Sequence, residues 1–368
     1  MADEGKPMRH GYTTGSNATA ATKAALLSLI RQEAVTEAEI LLPIGDRVAF
    51  HMQNVTFDEY SAEASVIKDA GDDPDATHKA LIVSTVTWTS EPGIVLDGGT
   101  GVGRVTKPGL PVPVGEAAIN PVPRRMITET AREVLDAYNI KRGIRIVISV
   151  PEGEEIAKKT LNARLGIIGG ISILGTRGTV VPFSTAAFKA SIAQAISVAV
   201  EGGCEHLIAT TGGRSEKFAM KLYDGYPEEA FIEMGDFVGF TLKMCKKYGV
   251  KRVALVGMMG KFSKVAQGIM MVHSKSAPVD FGFLAGVAEE AGVPGELIAQ
   301  IREANTASQV GDLMRENGCD AFFEVLCRHV CYSGLKEMGG DAEIETTIIT
   351  MKNEILGRER VDCRVLSK

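Results

Sequence analysis

The chain has 368 residues, of which 45% are hydrophobic and 23% charged, with 40 glycines and a formal net charge of −6. That length exceeds what one hydrophobic core fills, so two domains are expected. The acidic balance excludes nucleic acid or an anionic membrane as the main partner, because either demands a basic field, and leaves a small ligand.

Residues 1–8 are charged and lack the apolar core of a signal peptide, and no stretch reaches the ~18 uninterrupted apolar residues of a membrane helix. The expected location is the cytoplasm. Gly11-Tyr12-Thr13-Thr14-Gly15-Ser16 forms a turn that runs into an alanine- and leucine-rich helix over 17–30, with Ser16 as its N-cap. Strands follow at 39–42, 47–57 and 62–68, broken by Pro43, Gly45, Asp58 and Glu59, and read as antiparallel sheet. The acidic run 69–75 reads as a solvated loop, and 81–87 alternates as another strand ending near Trp88. After a strand at 94–96 comes Asp97 and a glycine-rich run to Arg104. Pro108, Pro111 and Pro113 forbid a helix directly after it, so the dipole that serves a nucleotide loop is missing and a long hairpin or binding loop is expected.

Across 120–139, Ile127, Ala131, Val134, Leu135 and Tyr138 recur at helical spacing, with Glu129, Arg132, Glu133 and Asp136 on the other side. Residues 143–150 form a β-branched strand closed by Pro151, and 184–201 return to helix capped by Ser184. Beyond Gly202-Gly203 the pattern changes. Short buried strands at 206–210 and 252–257 alternate with helices at 231–248 and 264–271, as parallel strands with crossover helices do. The expected fold class is therefore α/β: an N-terminal α+β domain with largely antiparallel sheet (1–202) and a C-terminal Rossmann-like α/β domain with parallel strands (203–368).

The six cysteines, Cys204, Cys245, Cys319, Cys327, Cys331 and Cys363, are scattered without secretory context and read as reduced thiols. Cys327 and His329 lie in an apolar run, 321–330, with Cys331 directly after it, where cysteines four apart share a helix face. Core packing is expected there, since no second ligand pair stands at zinc-site spacing.

In the second half, strand 206–210 empties into Thr211-Gly212-Gly213-Arg214-Ser215 ahead of a helix. Glycines at that place serve either a ligand or a tight turn, and the six-residue dinucleotide fingerprint is absent. The strand at 252–257 ends in Gly257-Met258-Met259-Gly260-Lys261, whose glycines stand too close for a Walker phosphate loop. Glu233 and Asp236 are placed at a helix start, either complementing the dipole or recognising an amine or a ribose. In the first half Arg104, Lys107, Arg124 and Arg125, and later Arg177 and Lys189, recur beside Gly and Pro turns. They are either solvated surface cations or a cationic site for a polyacidic ligand.

Residues 10–25, 97–125 and 175–191 resemble the cobalt-precorrin-5B C1-methyltransferase family, the cobalamin biosynthesis protein D group. The likeness continues at 210–216, 233–240 and 257–274, and its longest stretch is Gly98-Gly99-Thr100-Gly101-Val102-Gly103-Arg104-Val105-Thr106-Lys107-Pro108-Gly109-Leu110, continuing to Asn120-Pro121-Val122-Pro123-Arg124. The resemblance implies two α/β domains, S-adenosylmethionine as methyl donor, and a cobalt-precorrin, a ring-contracted tetrapyrrole, as acceptor. The cobalt then arrives inside the substrate, and no protein-bound metal is implied. A macrocycle bearing acetate and propionate arms suits Arg104, Lys107, Arg124, Arg177 and Lys189, with Thr13, Thr14 and Thr100 beside them in the matched segments. The donor falls to Thr211, Gly212, Gly213 and Arg214, to Glu233 and Asp236, and to Gly257 and Gly260. Asp97, Glu116 and His273 are the candidates for a base that relays a proton.

One position departs from the family. Where cysteine commonly follows Thr-Thr-Gly-Ser, this chain has Asn17, which hydrogen-bonds but is no thiolate nucleophile, so the segment reads as a helix-start anchor. Two other functions compete: a phosphotransferase holding ATP on the glycine turns around Gly212 and Gly260, and a non-catalytic corrinoid carrier or sensor. The first predicts magnesium-dependent nucleotide binding and the second no affinity for S-adenosylmethionine. Homo-oligomerisation stays open.

Overall fold

The computed structural model describes residues 7–273, 277–339 and 341–363. Ser274, the last residue of the segment 257–274, and most of the charged segment 1–8 lie outside them. Contacts divide the chain between Thr185 and Ala186 into two compact units.

In the first unit, strand β1 (Gly11–Tyr12) leads into helix α1 (Thr14–Arg31). Ala18, Ala20, Ala21, Ala24 and Ala25 are all fully buried, because small side chains let neighbours close on α1 from several sides. The hairpin β2 (Glu37–Leu41) and β3 (Arg47–His51) is antiparallel, and so are β4 (Asn54–Phe57), β5 (Ser61–Ile67) and β6 (Leu81–Thr89). Next come β7 (Ile94–Gly98), β8 (Gly101–Val102), β9 (Arg104–Val105), α2 (Pro121–Ala137) and β10 (Gly143–Ser149). Short elements close the unit: α3 (Gly153–Ala157), β11 (Ile167–Ile168), β12 (Gly170–Ile171) and β13 (Thr179–Val180). The main sheet has the order β4-β5-β6-β10-β7. Only β10 and β7 pair in parallel, and α2 is the crossover such a pair requires. Ile144, Ile146 and Ile148 of β10 pack with Leu26 and Leu29 of α1 and with Ile127 and Ala131 of α2.

The structure corrects three expectations here. The N-cap of α1 is Thr13, whose backbone is extended and whose hydroxyl accepts the Ser16 N–H at 3.3 Å; the Ser16 hydroxyl instead donates to Gly178 O at 2.7 Å. The run 47–57 is two strands, because β3 pairs with β2 and β4 with β5. The acidic loop is anchored rather than simply solvated: Lys68, 1% exposed, donates to Asp75 at 2.6 Å, and Arg9 pairs with Asp69.

The second unit takes in helix α4 (Thr185–Glu201), which the sequence assigned to the first domain; its Ile192, Ile196 and Ala199 belong to the second core. Strand β14 (His206–Thr210), helix α5 (Gly213–Leu222), strand β15 (Phe231–Glu233), helix α6 (Val238–Lys247), strand β16 (Arg252–Met258) and helix α7 (Met259–Ala266) follow. Four further helices, α8 (Phe281–Glu290), α9 (Gly295–Arg302), α10 (Ala307–Glu316) and α11 (Ala321–Met338), precede β17 (Glu343–Ile349) and β18 (Ile355–Asp362). The sheet order is β15-β14-β16-β17-β18, parallel throughout except for β18. Helices α6, α7 and α11 pack on one face, and α5 packs on the other through Ala219 against Ile208, Ala254 and Val256.

The expected helix over 231–248 begins as strand, because Phe231 and Ile232 take a place beside Ile208 and Ala209 at the sheet edge before Gly235 turns the chain into α6. The helix expected at 264–271 starts earlier, at the end of β16, and stops before Gly268. Cys327 and Cys331 are fully buried on α11, as their spacing indicates. Their thiols are pushed up by burial, to about 12 for Cys331. Among the described residues, no helix is long and apolar enough to cross a membrane.

Candidate active site

Both glycine-rich stretches look alike in sequence, and the space around them separates them. In the first unit Gly101 has φ +70°, and a Cβ there would lie 1.8 Å from Val150 O. A Cβ on Gly170 or on Gly153 would lie 2.0 Å from Gly101 O. These glycines exist because backbone packs on backbone, β8 against β12 and against the start of α3. In the second unit a Cβ on Gly212, Gly213 or Gly260 would meet nothing within 4 Å. There the glycines leave the main chain open to an approaching ligand.

That open stretch sits at a defined place in the topology. Strand β14 feeds α5 on one face and its neighbour β16 feeds α7 on the other, so the loops diverge at the carboxyl ends of these two strands. In an open parallel sheet this divergence makes a crevice, the usual ligand position. The crevice is bordered by Thr211, Gly212 and Gly213 on one side and by Gly257, Gly260 and Lys261 on the other. Gly257 is tightly packed, with its Cβ position 2.9 Å from Thr211 and Phe262 side-chain atoms, so it lets the two loops meet. The Thr210 hydroxyl, at the end of β14, is buried and has no hydrogen-bond partner.

Lys261 carries no role in the sequence reading, and it organises this end of the sheet. Its ammonium donates to Thr211 O at 2.9 Å and lies 3.1 Å from Asp236 Oδ1. Glu233 and Asp236 do not stand together at a helix start, contrary to expectation. Glu233 ends β15 level with Thr210, and Asp236 lies beyond Gly235, whose φ of +56° turns the chain. Arg214 is exposed, with its guanidinium 3.0 Å from the Met351 sulfur.

In the first unit, Arg104 donates to Asp97 at 2.9 Å and Arg145 does so at 3.4 Å. Burial works against the Asp97 charge, but the Gly98 N–H and the two guanidinium groups hold its carboxyl below the usual range. It therefore stays ionised and is a weak base. Glu116 accepts from Arg124 at 3.1 Å. The structure thus brings two of the three base candidates onto the cations proposed for substrate. Arg145 was missed because its only signal is alternation: it falls between Ile144 and Ile146 on the opposite face of β10, and the parallel pairing with β7 carries it to Asp97.

Other candidates stand apart from these clusters. The Thr13 and Thr14 side chains are buried; Thr14 Oγ1 accepts the Leu174 N–H at 2.9 Å, and Gly15 N–H donates to Leu174 O at 3.1 Å. These contacts hold the start of α1 against 172–178, where Arg177 is exposed. Asn17 is buried and donates to Thr13 O at 2.8 Å, an anchoring role. Thr100 is exposed, and the Lys107 stem lies 2.5 Å from where a Gly166 side chain would begin. Lys189 belongs to α4 in the second unit, its ammonium 5.3 Å and 5.5 Å from the ring centres of Phe237 and Phe240. His273 is exposed, and its carbonyl, with that of Val272, accepts from buried Lys264. A cavity of about 630 Å³ lies away from the strand ends, beside Gln267, Met270, Phe283 and Lys336. Its lining includes Gly268, whose Cβ position is also open.

A parallel sheet with glycine-rich loops at its strand ends, and a separate unit presenting arginines, fit the class of a two-unit α/β enzyme. The CbiD family model matches residues 1–182, and that of the CbiD C-terminal domain matches residues 271–360. The cobalt-precorrin-5B C(1)-methyltransferase of Geobacillus sp. (strain WCH70) is 67% identical, covering 96% of this chain and 97% of that protein. The protein of the same name from Priestia megaterium is 65% identical, with the same coverage of 96% and 97%. A crystal structure of the cobalamin biosynthesis protein (CbiD) from Archaeoglobus fulgidus is 27% identical and covers 84% of this chain and 85% of its own, with a TM-score of 0.39. The chain belongs to the CbiD family.

Proposed function

We propose that this chain methylates C1 of cobalt-precorrin-5B in cobalamin biosynthesis, with S-adenosylmethionine as donor, and that it acts in the cytoplasm. Relatives bearing that activity in their names are 65–67% identical over 96% of the chain. The second unit, Rossmann-like in its parallel strands and crossovers, takes the donor; the first takes the acceptor's carboxylates. The single observation that carries the donor placement is the unfilled space at Gly212, Gly213 and Gly260.

When bound, S-adenosylmethionine supplies a methyl group on a positively charged sulfur, a leaving group that needs no activation. Thr211, Gly212, Gly213 and Gly260 offer main chain to it, Glu233 suits its amine or ribose, and Asp236 fixes Lys261. Arg104, Arg124, Arg145 and Lys107 offer cations to the acid arms of the macrocycle, with Asp97 and Glu116 as built-in counter-ions that keep the guanidinium groups oriented. Positioning then does most of the catalysis, by holding the acceptor carbon about 3–3.5 Å from the methyl group. Asp97 is too acidic to take a proton readily, so Glu116 and His273 remain the candidates for any relay. Cobalt enters as part of the substrate.

The test is anaerobic incubation of the purified chain with cobalt-precorrin-5B and methyl-labelled S-adenosylmethionine. One labelled methyl on C1, located by mass spectrometry and NMR, is expected. Turnover that instead required ATP and magnesium, or tetrapyrrole binding without donor affinity, would overturn the assignment.

A further inference from the structure

We infer that Lys261 reads the α-carboxylate of the methyl donor and so fixes which way round the donor lies. The inference rests on the donor placement proposed above and adds a specificity-determining residue to it. An ammonium has three N–H donors. One goes to Thr211 O at 2.9 Å, and Asp236 Oδ1 lies 3.1 Å away as an ion pair without hydrogen-bond geometry. Thr211 follows β14, Asp236 follows β15, and Lys261 stands in the first turn of α7 after β16, so one side chain ties three loops at the same end of the sheet. The Lys261 side chain keeps 35% exposure, which leaves N–H donors for solvent or a ligand.

Asp236 Oδ1 is enclosed and, like the Thr210 hydroxyl, has no hydrogen-bond partner; its charge lies beside the ammonium. The other cations of these loops are engaged elsewhere: Lys264 is buried beneath the carbonyls of Val272 and His273, and Arg214 points to Met351. The buried, unpartnered hydroxyl of Thr210 adds a second polar group at the same strand end. A cation held here attracts the carboxylate of the donor's amino-acid end. It also repels the sulfonium, and the two effects together select one orientation.

Isothermal titration of the full chain with two probes tests this. The probes are S-adenosylhomocysteine and S-adenosyl-3-thiopropylamine, which is the same molecule without the carboxylate. For the wild type, loss of the carboxylate is expected to weaken binding about tenfold, the scale of one charge-assisted hydrogen bond. In Lys261→Met, S-adenosylhomocysteine should weaken by about the same factor while the carboxylate-free probe changes less than about twofold, so the discrimination collapses. Lys261→Arg should restore most of it. A Lys261→Met protein that keeps the wild-type ratio overturns the inference. Should that variant not fold, Lys261→Gln, which keeps the side chain polar but removes its charge, must lower the ratio; an unchanged ratio overturns the inference equally. A wild type that binds neither probe sinks the donor placement instead, a separate and recognisable failure.

Discussion

The ammonium of Lys68 is 1% exposed, and Asp75 Oδ2 lies 2.6 Å from it. Burial works against the Asp75 carboxylate, yet Lys68 and the hydrogen bonds from Thr77 hold its carboxyl below the ordinary 3.8. Asp75→Ala would leave the charge buried and alone, which costs about 3–5 kcal/mol and is measurable by urea unfolding at neutral pH. Because the folded carboxyl is the more acidic, the pair's stabilisation is complete above pH 3.8 and fades as pH falls through the folded value, so wild type and variant should converge in acid. The two kinds of glycine separate just as sharply. Gly101→Ala forces a Cβ to within 1.8 Å of Val150 O at positive φ and should abolish stable folding. Gly213→Ala meets open space at the first position of α5 and exchanges a poor helix former for a good one, so the melting temperature should hold or rise. Affinity for S-adenosylhomocysteine should nevertheless drop, because the methyl group occupies the ligand's approach.

Among the elements, α1 shows what a sequence can and cannot disclose. Its alanine-rich run and the Thr-Thr-Gly-Ser start mark a buried, capped helix, and both are present. That 13–16 interlocks with 172–178 has no local signature, since the partners are some 160 residues apart. Removing the cap with Thr13→Ala should cost about 1–2 kcal/mol, read from chemical denaturation, with Thr13→Ser recovering most of it. The same limit explains the misplaced elements. Phe231 and Ile232 carry helix-compatible spacing but find a strand partner in β14, and the run 47–57 serves two different pairings. Tertiary pairing overrode local pattern in both. The spacing of Gly257 and Gly260 carries no signal for Lys261. The informative signal is a pair of neighbouring parallel strands that both end in glycines, one of them followed by lysine, and it becomes visible only once the strand order is known.

At the scale of the whole molecule, the long glycine-rich match at 98–110 is the most recognisable part of the chain, and its Gly98, Gly99, Gly101 and Gly103 are closed by packing. Family membership was legible from sequence, while the proposed placement of the donor rests on the spaces around the glycines. Each unit has its own core, so a ligand's effect can be localised. A donor that binds only the folded second unit suppresses local opening there, by about 2.7 kcal/mol at a ligand concentration a hundred times Kd. Hydrogen exchange followed by mass spectrometry with S-adenosylhomocysteine should therefore slow in peptides covering 210–213 and 257–262 and stay unchanged over 98–104. The direction of the result discriminates because both stretches are glycine-rich, so protection confined to 98–104 would move the donor to the first unit. With the tetrapyrrole as ligand the expectation reverses, and slowing should centre on 97–107 and 116–125, where Asp97 and Glu116 hold Arg104, Arg145 and Arg124 in place.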